Sequence, residues 1–345
     1  MNINDLFEIA VKKKASDIHL VAGRLPLLRI DGDLTSIPKS ETVTRPLLEK
    51  MIFGVLTPNQ KEKFLKERDL DLSYEIPDSS RFRVNIFWER DSMGLAARII
   101  SSKIPTMEDI AMPQVAYEMT RAKQGLILVT GPTGCGKSTS LAAMINLVNQ
   151  ERTANIITLE DPIEFLFKSE KSIIVQRQLG TDMMSFQSAL KHVLRQDPDV
   201  IMVGEMRDLE TIAATITLAE TGHLVLATLH TLNAGQTIDR IVDVFPPFQQ
   251  NQVRLQLSMS LNGVISQQLL PKAGGGRIAA REILINTPAI ANIIRENKIP
   301  QIKTAIQTSA DEGMVTLEQD ISRLVKEKLI EKEVAEYFLE TLPKI

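Results

Sequence analysis

The sequence predicts an α/β protein in two parts: a small α+β domain, then a larger domain of alternating strands and helices that ends in short helices. Three observations carry this expectation. The chain has 345 residues, more than the roughly 250–300 that a single core usually organises. Residues 1–100 mix helical periodicity with alternating strand patterns. From Gly125 onward, short apolar runs of buried-strand length alternate with helical segments, the pattern of a doubly wound parallel sheet.

In order, Leu6–Ala15 reads as a helix, and Ser16–Val21 alternates polar and apolar residues as a half-buried strand. Leu27–Ile30 and Leu34–Ile37 flank Asp31-Gly32, a hairpin signal. Helical patterns cover Arg45–Leu56 and Pro58–Glu67, and strands are expected at Arg81–Trp88 and Met93–Ile100. The stretch 101–114, with Pro105 and Pro113, interrupts the pattern and reads as a linker, which sets the expected domains at 1–100 and 115–345. Apolar strands are expected at 126–130, 155–159, 199–203 and 224–229. Gly274-Gly275-Gly276 turns between the strand-like runs Val264–Leu270 and Arg277–Ile285, and short helices follow Pro288.

Composition narrows the function classes. Hydrophobic residues make up 43% of the chain, enough for ordinary cores. No apolar stretch approaches the ~18 residues that span a bilayer, and the start lacks a signal-peptide pattern. A cytoplasmic protein is expected, with any membrane association made through partners. The formal net charge of −3 and 4% aromatic content disfavour a nucleic-acid-binding surface. The single cysteine, Cys135, excludes an intramolecular disulfide and any multi-cysteine zinc module.

Chemistry concentrates at Gly131-Pro132-Thr133-Gly134-Cys135-Gly136-Lys137-Ser138. This octet matches G-x-x-x-x-G-K-[ST], a loop whose glycines let backbone N–H groups turn inward around phosphates. Leu126–Val129 precedes it as a buried strand, and a helix follows from Thr139, so the loop lies at a helix N-terminus that favours anions. Lys137 is expected to reach the β- and γ-phosphates of ATP, and the Ser138 hydroxyl to ligate Mg²⁺. Cys135, near that N-terminus, is either a thiol of lowered pKa or a small residue filling a variable slot.

A second cluster of acidic residues follows further along. The apolar run after Asp199 ends at Gly204-Glu205, which puts Glu205 at a strand tip beside the loop, able to hold Mg²⁺ through water. Glu160-Asp161-Pro162-Ile163-Glu164 crowds carboxylates at another strand end. Glu164 is the first candidate to activate water and Glu160 its rival, with a plain acidic loop as the alternative. His223 and His230 bracket the strand 224–229 on opposite faces, so they do not suit one metal. His230, at the C-terminal end, either senses the γ-phosphate or serves as a hydrogen-bonded structural residue. Arg81, Arg83, Arg90 and Arg98 form either a solvated basic sheet face or a source of arginine fingers.

These blocks, in this order, resemble the secretion-type hexameric ATPases, most closely the branch that retracts type IV pili. Ala15–Leu20 and Arg29–Asp33 resemble the start of that family's PAS-like N-terminal domain, and Gly131–Ser138 its Walker A box. Leu159–Phe165 resembles its Asp box, Leu194–Asp208 its Walker B region, and Thr221–Thr231 its His box. The resemblance implies a PAS-like α+β domain followed by a RecA-like P-loop NTPase domain with a helical C-terminal region. It also implies a homo-hexameric ring, ATP between the two domains, and phosphate contacts from Arg83 and Arg98. The force would act on an inner-membrane platform protein, so that pilin subunits leave the fibre base, with paralogous ATPases as further partners. Assembly and type II secretion motors of this family usually carry a four-cysteine zinc motif and an extra N-terminal domain, which this sequence lacks. One block departs: the retraction branch usually reads A-I-R-N-L-I-R-E, whereas Ala289–Glu296 has Ala291 at the first arginine. That change leaves open an accessory paralogue or a different coupling, while every catalytic block for hydrolysis is intact; a nucleotide-gated ring with little turnover is a separate alternative.

Overall fold

A computed structural model describes the chain except residues 1, 31–32, 39, 77–79, 101–102 and 342–345. Two compact units emerge, Met1–Lys103 with Glu164–Leu166, and Ile104–Ile163 with Phe167–Ile345.

The first unit runs α1 (Ile3–Lys12), β1 (Asp17–Val21), β2 (Leu27–Ile30), β3 (Asp33–Ser36), α2 (Arg45–Val55), α3 (Pro58–Glu67), β4 (Asp69–Ile76), β5 (Ser80–Glu89) and β6 (Ser92–Ile100). Its six strands form one antiparallel sheet in the order β3-β2-β1-β6-β5-β4. The period-two alternation sorts side chains by face. Ile18, Leu20, Leu28, Phe82, Val84, Ile86 and Leu95 are buried with Leu6, Phe7, Leu48, Ile52 and Phe64 of the helices. Phe7 stacks on Phe82 at 4.3 Å between ring centroids.

Two differences from expectation have local causes. The first helix begins and ends earlier because Asn2 and Asp5 form a reciprocal capping box, while Lys14 turns left-handed at φ 55°. Strand β4 was not expected, although Asp69-Leu70-Asp71-Leu72 alternates cleanly; aspartate is a poor strand former, and burial of the leucines overrides that preference. The turn expected at Asp31-Gly32 lies outside the described residues, while the flanking strands pair from Ile30 with Asp33 onward.

The second unit runs α4 (Gln114–Arg121), β7 (Gly125–Thr130), α5 (Lys137–Glu151), β8 (Asn155–Glu160), β9 (Ile173–Gln178), α6 (Phe186–Val193), β10 (Val200–Val203) and α7 (Leu209–Glu220). It continues through β11 (Leu224–Leu229), α8 (Ala234–Asp243), α9 (Pro247–Ser260), β12 (Leu261–Pro271) and β13 (Arg277–Ile285). Helices α10 (Pro288–Arg295), α11 (Ile302–Thr308), α12 (Leu317–Lys326) and α13 (Lys332–Thr341) follow. The sheet order is β13-β12-β7-β11-β10-β8-β9, parallel throughout except for the β12–β13 pair. Helices α4 and α5 cover one face, and α6 to α10 the other, so β7, β10 and β11 are wholly buried. This is the expected doubly wound arrangement, with β9 and the antiparallel β13 at its edges. Because β11 lies between β7 and β10, the loops after β7, β11, β10 and β8 open side by side at one sheet edge.

Removing the Phe82 ring is expected to destabilise the first unit by about 3–5 kcal/mol. Denaturant unfolding of Phe82→Ala measures this, and a loss below about 1 kcal/mol would contradict the packing described.

Candidate active site

The loop between β7 and α5 is shaped by its glycines. Gly131 has φ 139° and lies against the Gln267 carbonyl and the Cys135 sulfur, leaving no room for a side chain. Gly136 turns left-handed at φ 89° immediately before α5. No side chain caps α5, and its first turn holds no acidic residue. The N-terminal N–H groups of a fifteen-residue helix therefore face the loop with only their partial positive charge, which is the electrostatics of an anion site.

Gln267 on β12 clamps this loop. Its Nε2 donates to the Cys135 carbonyl at 2.8 Å, and its Oε1 accepts from Ser140 Oγ at 2.8 Å. The expectation of an apolar strand at Val264–Leu270 assigned Gln267 no part; a buried amide inside that run was the available signal. Pro132, Ser138 and Thr139 are half-buried, while Thr133 and Gly134 are exposed. Burial pushes the Cys135 thiol up, and the opposing pull of Lys137 does not offset it. The lowered-pKa alternative for Cys135 is thereby overturned, because desolvation outweighs the helix N-terminus.

Lys137 is buried, and its Nζ donates to the carbonyls of Gly131 at 2.8 Å and Pro132 at 3.0 Å. It also lies 3.4 Å from His230 Nδ1 at the end of β11. The other ring nitrogen of His230, Nε2, lies 2.9 Å from Glu205 Oε1, and Arg207 donates to Glu205 Oε2 at 2.8 Å. Burial works against ionisation of Glu205, but the hydrogen bonds and charges of Arg207 and His230 outweigh it and hold the carboxyl below its usual range. Backbone contacts steady the same loop: the Thr228 hydroxyl donates to the Gly204 carbonyl, and Met206 N–H donates to the Thr228 carbonyl.

Lys137, His230 and Glu205 thus form a continuous polar chain at the tips of three neighbouring strands. Arg207 joins it, a residue to which the sequence reading assigned no role. Glu160 ends β8, is buried, and accepts from Thr158 Oγ1 at 2.6 Å and Gln176 Nε2 at 3.0 Å. Glu164 is exposed and falls in the short segment that groups with the first unit. His223, at the start of β11, contacts the Leu218 carbonyl and Thr221 hydroxyl at 3.0 and 3.2 Å.

Arg83 and Arg98 belong to the first unit, where they stand opposite each other on β5 and β6 and are both exposed. Arg98 pairs with Asp17 at 2.8 Å, whereas Arg83 makes no ion pair among the described residues. Two guanidinium groups directly opposite on a sheet repel each other, so the sheet itself gains nothing from Arg83.

A glycine loop after a parallel strand, a lysine folded into it and a carboxylate two strands away define a RecA-like P-loop nucleotide-binding protein. Residues 1–336 match the family of Type II/IV secretion system proteins, and the chain belongs to that family. It is 47% identical over 335 residues to the type IV pilus retraction ATPase PilT of Pseudomonas aeruginosa, covering 97% of both chains. A twitching motility protein of Neisseria gonorrhoeae is 46% identical over 311 residues, covering 90% of this chain and 83% of that one. The crystal structure of the pilus retraction motor PilT with bound ADP superposes with a TM-score of 0.92 at 45% identity, covering 98% and 96% of the two chains.

Removing the Gln267 clamp is expected to weaken nucleotide binding about tenfold, two hydrogen bonds being worth about 1–2 kcal/mol together; calorimetry on Gln267→Ala measures it, and unchanged affinity would refute the clamp. Glu205 has a folded pKa below its unfolded value, so its stabilisation is present above the unfolded pKa and is lost as pH falls through the folded one. Arg207→Ala should therefore lower the melting temperature near neutral pH and make the acid limb shallower, the two proteins converging at low pH; a parallel loss at every pH would contradict the role given to Arg207.

Proposed function

We propose that this chain is the ATP-hydrolysing subunit of a homo-hexameric motor that powers type IV pilus retraction, the disassembly of pilin that drives twitching-type motility. The observation that carries this reading is the Lys137–His230–Glu205 chain beside an uncapped helix N-terminus, within a protein similar to a retraction ATPase along almost its whole length.

The residues suit Mg²⁺-ATP. A hard cation takes oxygen ligands and is commonly shared between protein and phosphates; here Ser138 would supply a hydroxyl directly and Glu205 a carboxylate through water. Gly131–Thr139 cradle the phosphates, and Lys137 exchanges its carbonyl contacts for the β- and γ-phosphates. Arg207 and His230 keep Glu205 ionised for that metal contact. Glu160 is already committed to Thr158 and Gln176, which supports Glu164 as the residue that orients and polarises the attacking water. His230 faces both Lys137 and Glu205, so a γ-phosphate that draws Lys137 away changes what His230 touches: a sensor in mechanical form. Arg83 and Arg98 supply positive charge to the transferring phosphoryl group.

Among the described residues no helix is long and apolar enough to cross a membrane. We place the motor on the cytoplasmic face of the inner membrane, held there by a platform protein, with paralogous ATPases as further ring partners. The assembly and type II secretion alternative is disfavoured by the single cysteine. A second reading, an accessory paralogue or a motor coupled differently to its partners, draws on Ala291, which lies half-buried on α10 where the retraction branch carries arginine. A guanidinium offers a charge and a fork of donors that alanine cannot replace.

Lys137→Ala is expected to abolish ATP binding, and Glu205→Ala to retain binding while turnover falls by about 10²–10³-fold. Steady-state hydrolysis across a dilution series, with direct nucleotide binding alongside, measures both. Specific activity should rise with concentration to a plateau as the ring assembles; substantial hydrolysis by either variant would overturn the assignments, and none by the parent protein would favour the nucleotide-gated ring.

A further inference from the structure

Away from the nucleotide loop, the second unit carries an open-mouthed cavity of about 350 Å³ bounded by α8, β13, α11 and α12. That is the lower end of the size range of small-molecule sites. Leu232, Ile299, Ile302 and Ile306 make much of the wall apolar. Glu282 also lines it and is only 6% exposed. One of its carboxylate oxygens accepts from Ala234 N–H at 2.8 Å, at the first residue of α8. Its other oxygen has no partner among the described residues. Glu282 thus offers one carboxylate oxygen, on a side chain that is otherwise buried, to a cavity wide enough for a ligand.

The charge around the cavity points the same way. Asp239 and Glu318 join Glu282 on the wall, against the single ammonium of Lys303. Lys303 is already committed to Glu318 at 2.7 Å, which leaves two carboxylates without a close counter-charge. Arg254, the other cation near Asp239, directs its guanidinium to Asn297 and Asn251. Burial makes Glu282 hold its proton more tightly than an ordinary carboxyl, and partial desolvation with the neighbouring charge of Asp243 does the same at the exposed Asp239. A cation of the right size would reverse that cost.

We propose that this cavity is a binding site for a small organic cation, a primary ammonium on a short aliphatic stem, with Glu282 as its anchor and the isoleucine wall against its stem. The site shares a chain segment with the nucleotide chemistry: Leu232 is two residues beyond His230, and the Ala234 N–H that Glu282 accepts opens the helix following it. A ligand competing for Glu282 would act on the first turn of α8.

The test uses the full-length protein and ligand-observed NMR titration with three probes: pentylamine, its neutral isostere 1-pentanol, and Nα-acetyl-lysine methylamide. Pentylamine should bind about tenfold or more tightly than 1-pentanol, as expected for a charge-assisted contact in a buried site. Glu282→Gln, shown folded by its circular dichroism and melting curve, should abolish that preference. Lys137→Ala should keep it, which separates this site from the nucleotide reading. Binding of pentylamine with exclusion of the blocked lysine would identify a free amine as the ligand; binding of both would identify a lysine side chain of a protein. Equal affinity for amine and alcohol, a preference that survives Glu282→Gln, or no binding of the amine would each overturn the proposal.

Discussion

Lys137 carries a buried positive charge, and much of the second unit is arranged around it. An ammonium taken out of water is costly unless every donor finds an acceptor. Here two carbonyls of the preceding loop and the imidazole of His230 meet that need. The carbonyls are available because Gly131 and Gly136 bend the loop back over the lysine, and Gln267 holds the loop in that shape from the neighbouring strand. The same fold leaves the first N–H groups of α5 without a side-chain cap. Positive potential therefore gathers from two sources, the ammonium and the helix terminus, at one end of one strand.

From that point charge alternates along the sheet edge. Lysine faces imidazole, imidazole faces Glu205, and Glu205 is secured by Arg207 on its far side. His230 is the middle member, one ring nitrogen facing the ammonium and the other the carboxylate. Strand β11 lies between the strand that leads into the Lys137 loop and the strand that ends before Glu205, so His230 beyond its tip falls between the two.

The first unit is built on a different principle. One sheet face is sealed by aromatic and aliphatic packing against three helices, and the other presents a polar row in which Asp17, Arg98 and Arg83 stand in register. Asp17 neutralises Arg98 alone, so the row keeps a net positive charge that does nothing for the sheet.

Much of this was legible in the chain. The glycine loop, the buried strands 126–130 and 224–229 and the hairpin-rich first part were all read from local patterns, because loop glycines and strand alternation act within a few residues. Glu205 and His230 were recognisable as strand-tip groups for the same reason. The strand order, the Gln267 clamp, the ion pair of Arg207 and the prior commitment of Glu160 were not, since each depends on which strands become neighbours. Gln267 meets Cys135 across 132 residues, and Glu282 meets Ala234 across 48. The sequence by itself determined which local conformations and chemical groups were available; only tertiary packing decided which of them meet, because hydrogen bonds and ion pairs act over a few ångströms and sequence distance carries no information about that separation.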